Sequence, residues 1–252
     1  MLAEREVSLN NDVINRVQHI RLKHPRMGTR KLQHKLGLEY RCFIGRDRLF
    51  RVLREARLLV KVRRSYHKTT QSHHRFYCHP NLIKDGEHQI KASGPEQLWV
   101  ADITYVPTQN GDTYLSLITD AWSRKIVGYH VDDTLRTDAV IKAYKNALKE
   151  RTRISQLLVH HSDRGLQYCS KQYQQLHEKH GVQCSMTDGY DCYQNALAER
   201  VNGIIKNEYL IIKPKDLHEA RLMISESVES YNKSRPHMAL KYKTPDEVHR
   251  AF

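Results

Sequence analysis

Residues 98 to 106 of this chain read LWVADITYV. Leu98, Trp99, Val100, Ala101, Ile103, Tyr105 and Val106 are the apolar, β-branched and aromatic side chains of a central strand, and Asp102 stands in their midst. A charge in such a strand costs on the order of several kcal/mol unless it is paired or binds a metal, so the fold must bring Asp102 a partner. A salt-bridged or edge-facing aspartate meets that demand as well as a metal ligand does, and Asp102 alone does not decide between them.

Two further carboxylates narrow the choice. Asp163 follows the apolar run Leu157, Leu158 and Val159, at a position where a buried strand ends and a side chain meets solvent. Glu199 comes after 35 intervening residues, in NALAERVNGIIKNEYL. There Ala196, Leu197, Val201, Ile204, Ile205 and Leu210 approximate a 3.6-residue period, and Asn195 suits the N-cap. Carboxylates at strand middle, strand end and helix offer hard oxygen ligands with room for water and phosphate. They suit Mg²⁺, with Mn²⁺ as a substitute, and two such ions can clamp both oxygens of an in-line displacement. Asp102, Asp163 and Glu199 are therefore the candidate catalytic and metal-binding residues. Lys206 lies two turns beyond Glu199 on the same face, about 10 Å along. That is too far for a ligand and suitable for gripping phosphate; the alternative is an exposed lysine paired with Glu208. His160 and His161, beside Asp163, are expected to be structural or to support the ligands, since the ions can activate the nucleophile themselves.

The surrounding pattern predicts a sheet to carry these groups. Strands over 98–106, 113–120 and 125–131 with two short connections imply an antiparallel meander. A helix over 137–151 follows, then the strand before Asp163, a helix near 170–180, a strand over 182–186 and the Glu199 helix. A mixed sheet flanked by helices results. A helix over 216–231 and a turn-rich, wrapped tail containing Pro236 and Pro245 close the chain. In that tail Arg235 and His237 could approach phosphate or simply dock the tail on the core.

Charge divides the chain. The total is +14, which favours a polyanion partner, nucleic acid ahead of membrane. Residues 1–97 hold 21 Lys and Arg against 9 Asp and Glu, and the remainder 21 against 19. In that basic front, helices are expected over 11–23, from a Thr29 cap to Gly37, and over 45–58. The last buries Leu49, Phe50, Val52, Leu53 and Ala56 and leaves Arg46, Arg48, Arg51, Arg54 and Arg57 outside. Three short helices with a basic third resemble a helix-turn-helix unit, so Arg46, Arg48, Arg51 and Arg54 are candidate DNA contacts; the alternative is a solvated arginine face. The division expected is a helical DNA-binding domain at 1–62, a basic linker lying along DNA at 63–95, a catalytic core at 96–212 and a C-terminal helix and tail at 213–252. Arg63 and Arg64 in the linker join the DNA-contact candidates. Its His73, His74, Cys78 and His79 invite a zinc site, but no second cysteine lies nearby and no CxxC follows, so phosphate-facing or solvated histidines are expected instead. Five cysteines without a CxxC pair read as free thiols of a reducing compartment. With no apolar leader and no run of 18 apolar residues, a cytoplasmic, nucleoid-associated protein is expected.

WVADITYV, HHSDRG, the 35-residue gap and NALAERVNGIIKNEY together resemble the catalytic core of the DDE transposases and retroviral-type integrases. HHSDRGLQY, CSMT, YNKSRPHMAL and TPDEV are similar to signature segments of transposases of the third bacterial insertion-sequence family, in particular the product of their second reading frame. The likeness runs from about Pro25 to the C-terminus, with Gln194 a departure that touches only local loop contacts. It implies a ribonuclease H-like fold, with the first and fourth strands neighbours, so that Asp102 lies beside Asp163, and a small all-α domain in front. It also implies metal-dependent strand cleavage exposing a 3′-OH, then attack of that hydroxyl on another phosphodiester. Double-stranded DNA (terminal repeats and target) is the implied partner, with a homo-oligomer on DNA and an upstream reading-frame product as further partners. A basic residue seven positions after the glutamate, here Lys206, belongs to the same pattern. A non-catalytic DNA-binding regulator and a ribonuclease H-like nuclease without transposition are the alternatives.

Overall fold

The computed structural model describes residues 2–61, 77–87, 89–188 and 195–252, with the backbone alone at 2–5. His73, His74, Arg63, Arg64, Cys192 and Gln194 lie outside the described residues.

At the centre is a five-stranded sheet of order β3-β2-β1-β4-β5, built from β1 (Leu98–Thr108), β2 (Gly111–Asp120), β3 (Ile126–Asp132), β4 (Leu158–Ser162) and β5 (Val182–Met186). β1 is antiparallel to β2 and parallel to β4, which makes the first and fourth strands neighbours, as the resemblance implies. The hairpin between β1 and β2 turns at Gln109 and Asn110, and Gly111 follows with φ +127, a conformation that side chains other than glycine rarely adopt.

Helices cover both faces. On one, α4 (Thr137–Glu150), α5 (Leu166–Cys169) and α6 (Lys171–Lys179) enclose Trp99, Ile103, Tyr144, Leu158, Tyr173 and Met186. Burying each large apolar side chain contributes about 1.5–3 kcal/mol. Gly128 marks how tightly α4 crosses β3, since an added Cβ would lie 2.4 Å from the Ala143 carbonyl oxygen. His160 and His161 are fully buried on β4, paired with Tyr173 Oη at 3.0 Å and Ser185 Oγ at 2.8 Å. Both are structural. On the other face, α7 (Ala196–Ile204), a π-helical turn (Ile205–Tyr209) and α8 (Leu217–Ser234) pack Val201, Ile205, Ile224 and Tyr231 against Val106, Leu115 and Leu117.

The front of the chain forms α1 (Leu2–Lys23), α2 (Thr29–Tyr40) and α3 (Arg46–Glu55) around their own core of Val17, Ile20, Leu32, Leu36, Leu49 and Leu53. Several local expectations fail here: α1 begins at Leu2, well before the expected start at residue 11. The N-cap of α2 is Gly28, with no side-chain cap, rather than Thr29. The same helix runs through Gly37 to Tyr40, because a single glycine costs only about 1 kcal/mol in a helix that tertiary packing supports. Phe50 is 38% exposed instead of buried, because the narrow core stripe of α3 is already filled by Leu49, Val52 and Leu53. At the other end, Pro245 opens a short helix α9 (Pro245–Arg250), with a capping box between Thr244 and Glu247. The tail is thus less irregular than its prolines suggest. Arg235 and His237 are buried there and serve docking, not the rim of a site.

Candidate active site

The parallel pairing of β1 with β4 aligns Val100 with His161. Asp102 and Asp163 each lie two residues beyond that pair, in the same direction, so they meet at one level of adjacent strands. Asp163 stands just past the end of β4, where its Oδ1 accepts from Gly165 N–H at 2.9 Å. α7 crosses this face of the sheet, and its first turn carries the exposed Glu199. Burial, then Asp163, raises the Asp102 carboxyl to about 7, with Glu199 adding to the effect and the Asn202 hydrogen bond opposing it. Glu199 is raised by its partial burial and by Asp163. The three carboxylates therefore lie within electrostatic reach of one another.

Asn202, which the sequence did not single out, and Asn195, which it marked only as an N-cap, hold this constellation. Asn202, three positions after Glu199, donates from Nδ2 to Asp102 Oδ2 at 2.8 Å. Asn195 occupies the N-cap position of α7 without capping it; its side chain donates to the Ala101 carbonyl at 3.0 Å and so fastens the helix start to β1. The spacing of Asn202, one helical turn from Glu199, puts it on the same face but names no partner; for Asn195 the capping preference masked the contact.

Lys206 falls in the π-helical turn, and its Nζ donates to Thr104 Oγ1 at 3.2 Å. Thr104 is two residues from Asp102 and thus on the same face of β1. Burial lowers the Lys206 pKa while Asp102 pulls it back up. The expected alternative, pairing with Glu208, does not occur: that carboxylate is held by Arg235 at 2.7 and 2.8 Å.

No three carboxylate, imidazole or thiol groups among the described residues are gathered closely enough to hold a metal as they stand. The donor chemistry nevertheless fits a hard divalent cation. Three oxygen ligands repel one another's charge, and the Oδ1 of Asn202 is buried with no protein partner among the described residues. An ion with bound water would relieve both.

Arg46, Arg48, Arg51 and Arg54 are all exposed on α3, but they do not form one face. Arg46, Arg51 and Arg54 line a shallow hollow of about 470 Å³ together with Arg30 of α2, Asp47 and Phe50. Arg48 turns toward α1 and donates to Asn10 Oδ1 at 3.4 Å.

The core is matched by the family described as Integrase core domain over residues 92–192, and by a second model of the same description over 180–245. By structure it is similar to the HTLV-2 integrase catalytic core domain solved in complex with magnesium, with a TM-score of 0.51 at 19% identity, over 64% of this chain and 100% of that one. The sheet and its flanking helices are thus those of a ribonuclease H-like integrase core.

By sequence, a 31 kDa protein of insertion element IS600 from Shigella sonnei is 39% identical over 89% of this chain and 81% of its own length. The transposase for insertion sequence element IS904 from Lactococcus lactis is 33% identical over 68% of this chain and 67% of its own length. The chain belongs to the DDE transposases of bacterial insertion sequences, of the third insertion-sequence family. It spans only 50 to 59% of several other transposases of such elements.

Proposed function

We propose that this transposase cuts the ends of its own insertion element and joins them to target DNA through Asp102, Asp163 and Glu199. The observation that carries this reading is the mutual charge of the three groups: a half-buried mid-strand carboxylate raised to about 7 with two more carboxylates contributing. Such an arrangement is unfavourable unless a cation completes it. Mg²⁺ is the ion proposed, with Mn²⁺ as its substitute. When bound, it would polarise the scissile phosphate, activate the attacking water or 3′-hydroxyl, and stabilise the leaving oxygen.

The remaining tasks fall to the chain. Asn202 orients Asp102 by its hydrogen bond and, in opposing the rise of that carboxyl's pKa, favours its ionised form. Lys206, held by Thr104, offers a point charge to the phosphate beside the one being cut. Asn195 fixes the start of the helix that bears Glu199. The exposed Arg46, Arg51 and Arg54 are proposed to grip the phosphates of double-stranded DNA, with Arg63 and Arg64 as further contacts along the path; Arg48, turned toward Asn10, is proposed to stand outside this grip. The division at 1–62, 63–95, 96–212 and 213–252 is proposed as the order of DNA grip, linker, chemistry and tail. A homo-oligomer on paired ends, an upstream reading-frame product and a cytoplasmic, nucleoid-associated setting complete the proposal. Among the described residues no helix is long and apolar enough to cross a membrane.

The test is a strand-transfer assay on oligonucleotides bearing the element's ends. Joined product with Mg²⁺ or Mn²⁺, absent with chelator, is the expected result. Binding without cleavage would instead indicate a DNA-binding regulator, and cleavage without joining a ribonuclease H-like nuclease.

A further inference from the structure

The three front helices are not tethered beside the core; several of their polar contacts with it gather around one carboxylate. Glu208 lies in the π-helical turn that continues the Glu199 helix. Its Oε1 and Oε2 receive a bidentate grip from Arg235 at 2.7 and 2.8 Å, and Lys31 of α2 pairs with Oε1 at 3.3 Å. Its backbone carbonyl accepts from Arg26 N–H at 3.2 Å. Around it, His24 of the front unit bonds Tyr209 Oη at 3.1 Å and Ser234 Oγ at 3.2 Å, and Lys35 Nζ donates to the Ser234 carbonyl at 3.3 Å. Arg235 is 3% exposed and the Glu208 side chain 22%. Desolvating such a pair is costly unless the geometry is good and further hydrogen bonds satisfy the ions; here Lys31 of α2 supplies one to Glu208 and His237 of the tail one to Arg235.

The same turn carries Lys206 two positions earlier. Residues two apart on a helix point to nearly opposite sides, so Lys206 reaches Thr104 on β1 while Glu208 faces the front helices. Single π turns are frequent at functional sites, and this one stands between the front helices and the carboxylates.

We propose that Glu208 is a positioning residue: it locks the front helices onto the glutamate-bearing helix, so that DNA held by α3 is delivered in fixed register to the reacting groups. This rests on the function proposed above. It makes a demand that a merely local role does not: losing the clamp should matter only when one DNA molecule engages both units.

The test compares the wild-type chain, Glu208→Gln and Lys31→Met, the second cutting the front contact while leaving Arg235 on Glu208. Each is given a long end oligonucleotide spanning both units and a short one that carries only the cleavage-proximal base pairs. Expected is a loss of kcat of about 10- to 100-fold on the long DNA for Glu208→Gln, the range that small misplacements of reacting groups produce, and a smaller loss in the same direction for Lys31→Met. Affinity for the long DNA and cleavage of the short DNA should be unchanged. Small-angle scattering of the free proteins should show an increased radius of gyration for both variants. An equal loss on both DNAs, no loss on either, weakened binding of the long DNA, or an unchanged radius of gyration would each overturn the proposal. If Glu208→Gln fails to fold, Lys31→Met decides on the same criteria. If the wild-type chain cuts neither DNA, the proposed function fails, while scattering still reports on the clamp.

Discussion

Asn202 Nδ2 lies 2.8 Å from Asp102 Oδ2, so the helix bearing Glu199 holds the central-strand carboxylate directly, one turn beyond the glutamate itself. The contact engages one Asp102 oxygen and opposes the burial that drives Asp102 toward its neutral form. Asn202→Ala should therefore weaken metal affinity and strand cleavage by about 10- to 100-fold, the usual cost of losing a partner of a metal ligand. Asn202→Asp, which adds a fourth negative charge, should be worse in metal-free protein and partly relieved at high Mg²⁺. Calorimetric metal titration alongside cleavage rates checks this; wild-type affinity in Asn202→Ala would remove the residue from the site.

The cluster of carboxylates should cost stability in return for function. Replacing Asp102 by Asn removes a carboxylate that burial and Asp163 hold raised, without changing shape, so the metal-free variant should unfold at a higher temperature than the wild-type chain at pH 8. Each kcal/mol of relieved repulsion corresponds to about 2–4 °C in a chain of this size. Strand cleavage should be lost. Asp163→Asn should behave similarly, and Glu199→Gln should stabilise least because Glu199 is exposed. Thermal scans in chelator check the sign; a lowered Tm for Asp102→Asn would show that the charges do not repel as the geometry requires.

Much of this was legible in the sequence for a definable reason. Strand periodicity and two short connections specify the meander, and an interrupting aspartate in a buried strand is a strong signal because its cost is high. The antiparallel pairing of β1 with β2 and the mid-strand position of Asp102 needed nothing more. Contacts between elements distant in the chain were not legible. Asn202 looks like an ordinary helix residue until β1 lies beneath it, and Arg235 looks like a surface cation until Glu208 of the π turn faces it. Phe50 carried a misleading signal, since an aromatic residue on a helix is more often core than surface. Its exposure beside Arg30 and Arg51 follows from the packing of three helices, which one helix's pattern cannot give.

That packing divides the arginines of α3 into two groups with different expected effects. Neutralising Arg46, Arg51 and Arg54 together should weaken DNA binding and lower the slope of log affinity against log salt by about 0.9 for each phosphate no longer neutralised. Arg48→Gln alone should change the slope little, because Arg48 faces Asn10. Binding titrations from low to physiological salt distinguish the two, and identical slopes in the triple variant and the wild type would make the arginine hollow a solvated surface. Metal binding should be unaffected in either variant.

Acid should loosen the chain at the junction of front helices and core. Burial first, then Lys35 and Arg235, holds His24 down to about 3, and burial followed by Arg235 holds His237 to about 2. His237 Nε2 accepts from Arg235 at 3.0 Å, a role open only to a neutral ring. In the unfolded chain both titrate near 6.5. The folded values are the lower ones, so the stability these residues contribute is complete above about pH 6.5. It is lost as the pH falls below that value, because the unfolded state then takes up protons that the folded state refuses. The slope is about 1.4 kcal/mol per pH unit for each histidine. His160 and His177, also buried and held low, add to the same trend, so the wild-type Tm should drop steeply between pH 6.5 and 5. His24→Gln and His237→Gln should each start with a lower Tm at pH 7.5 and show a shallower fall. Parallel curves for wild type and both variants would mean that neither histidine is neutral at the junction, and the acid response would belong to the sheet alone.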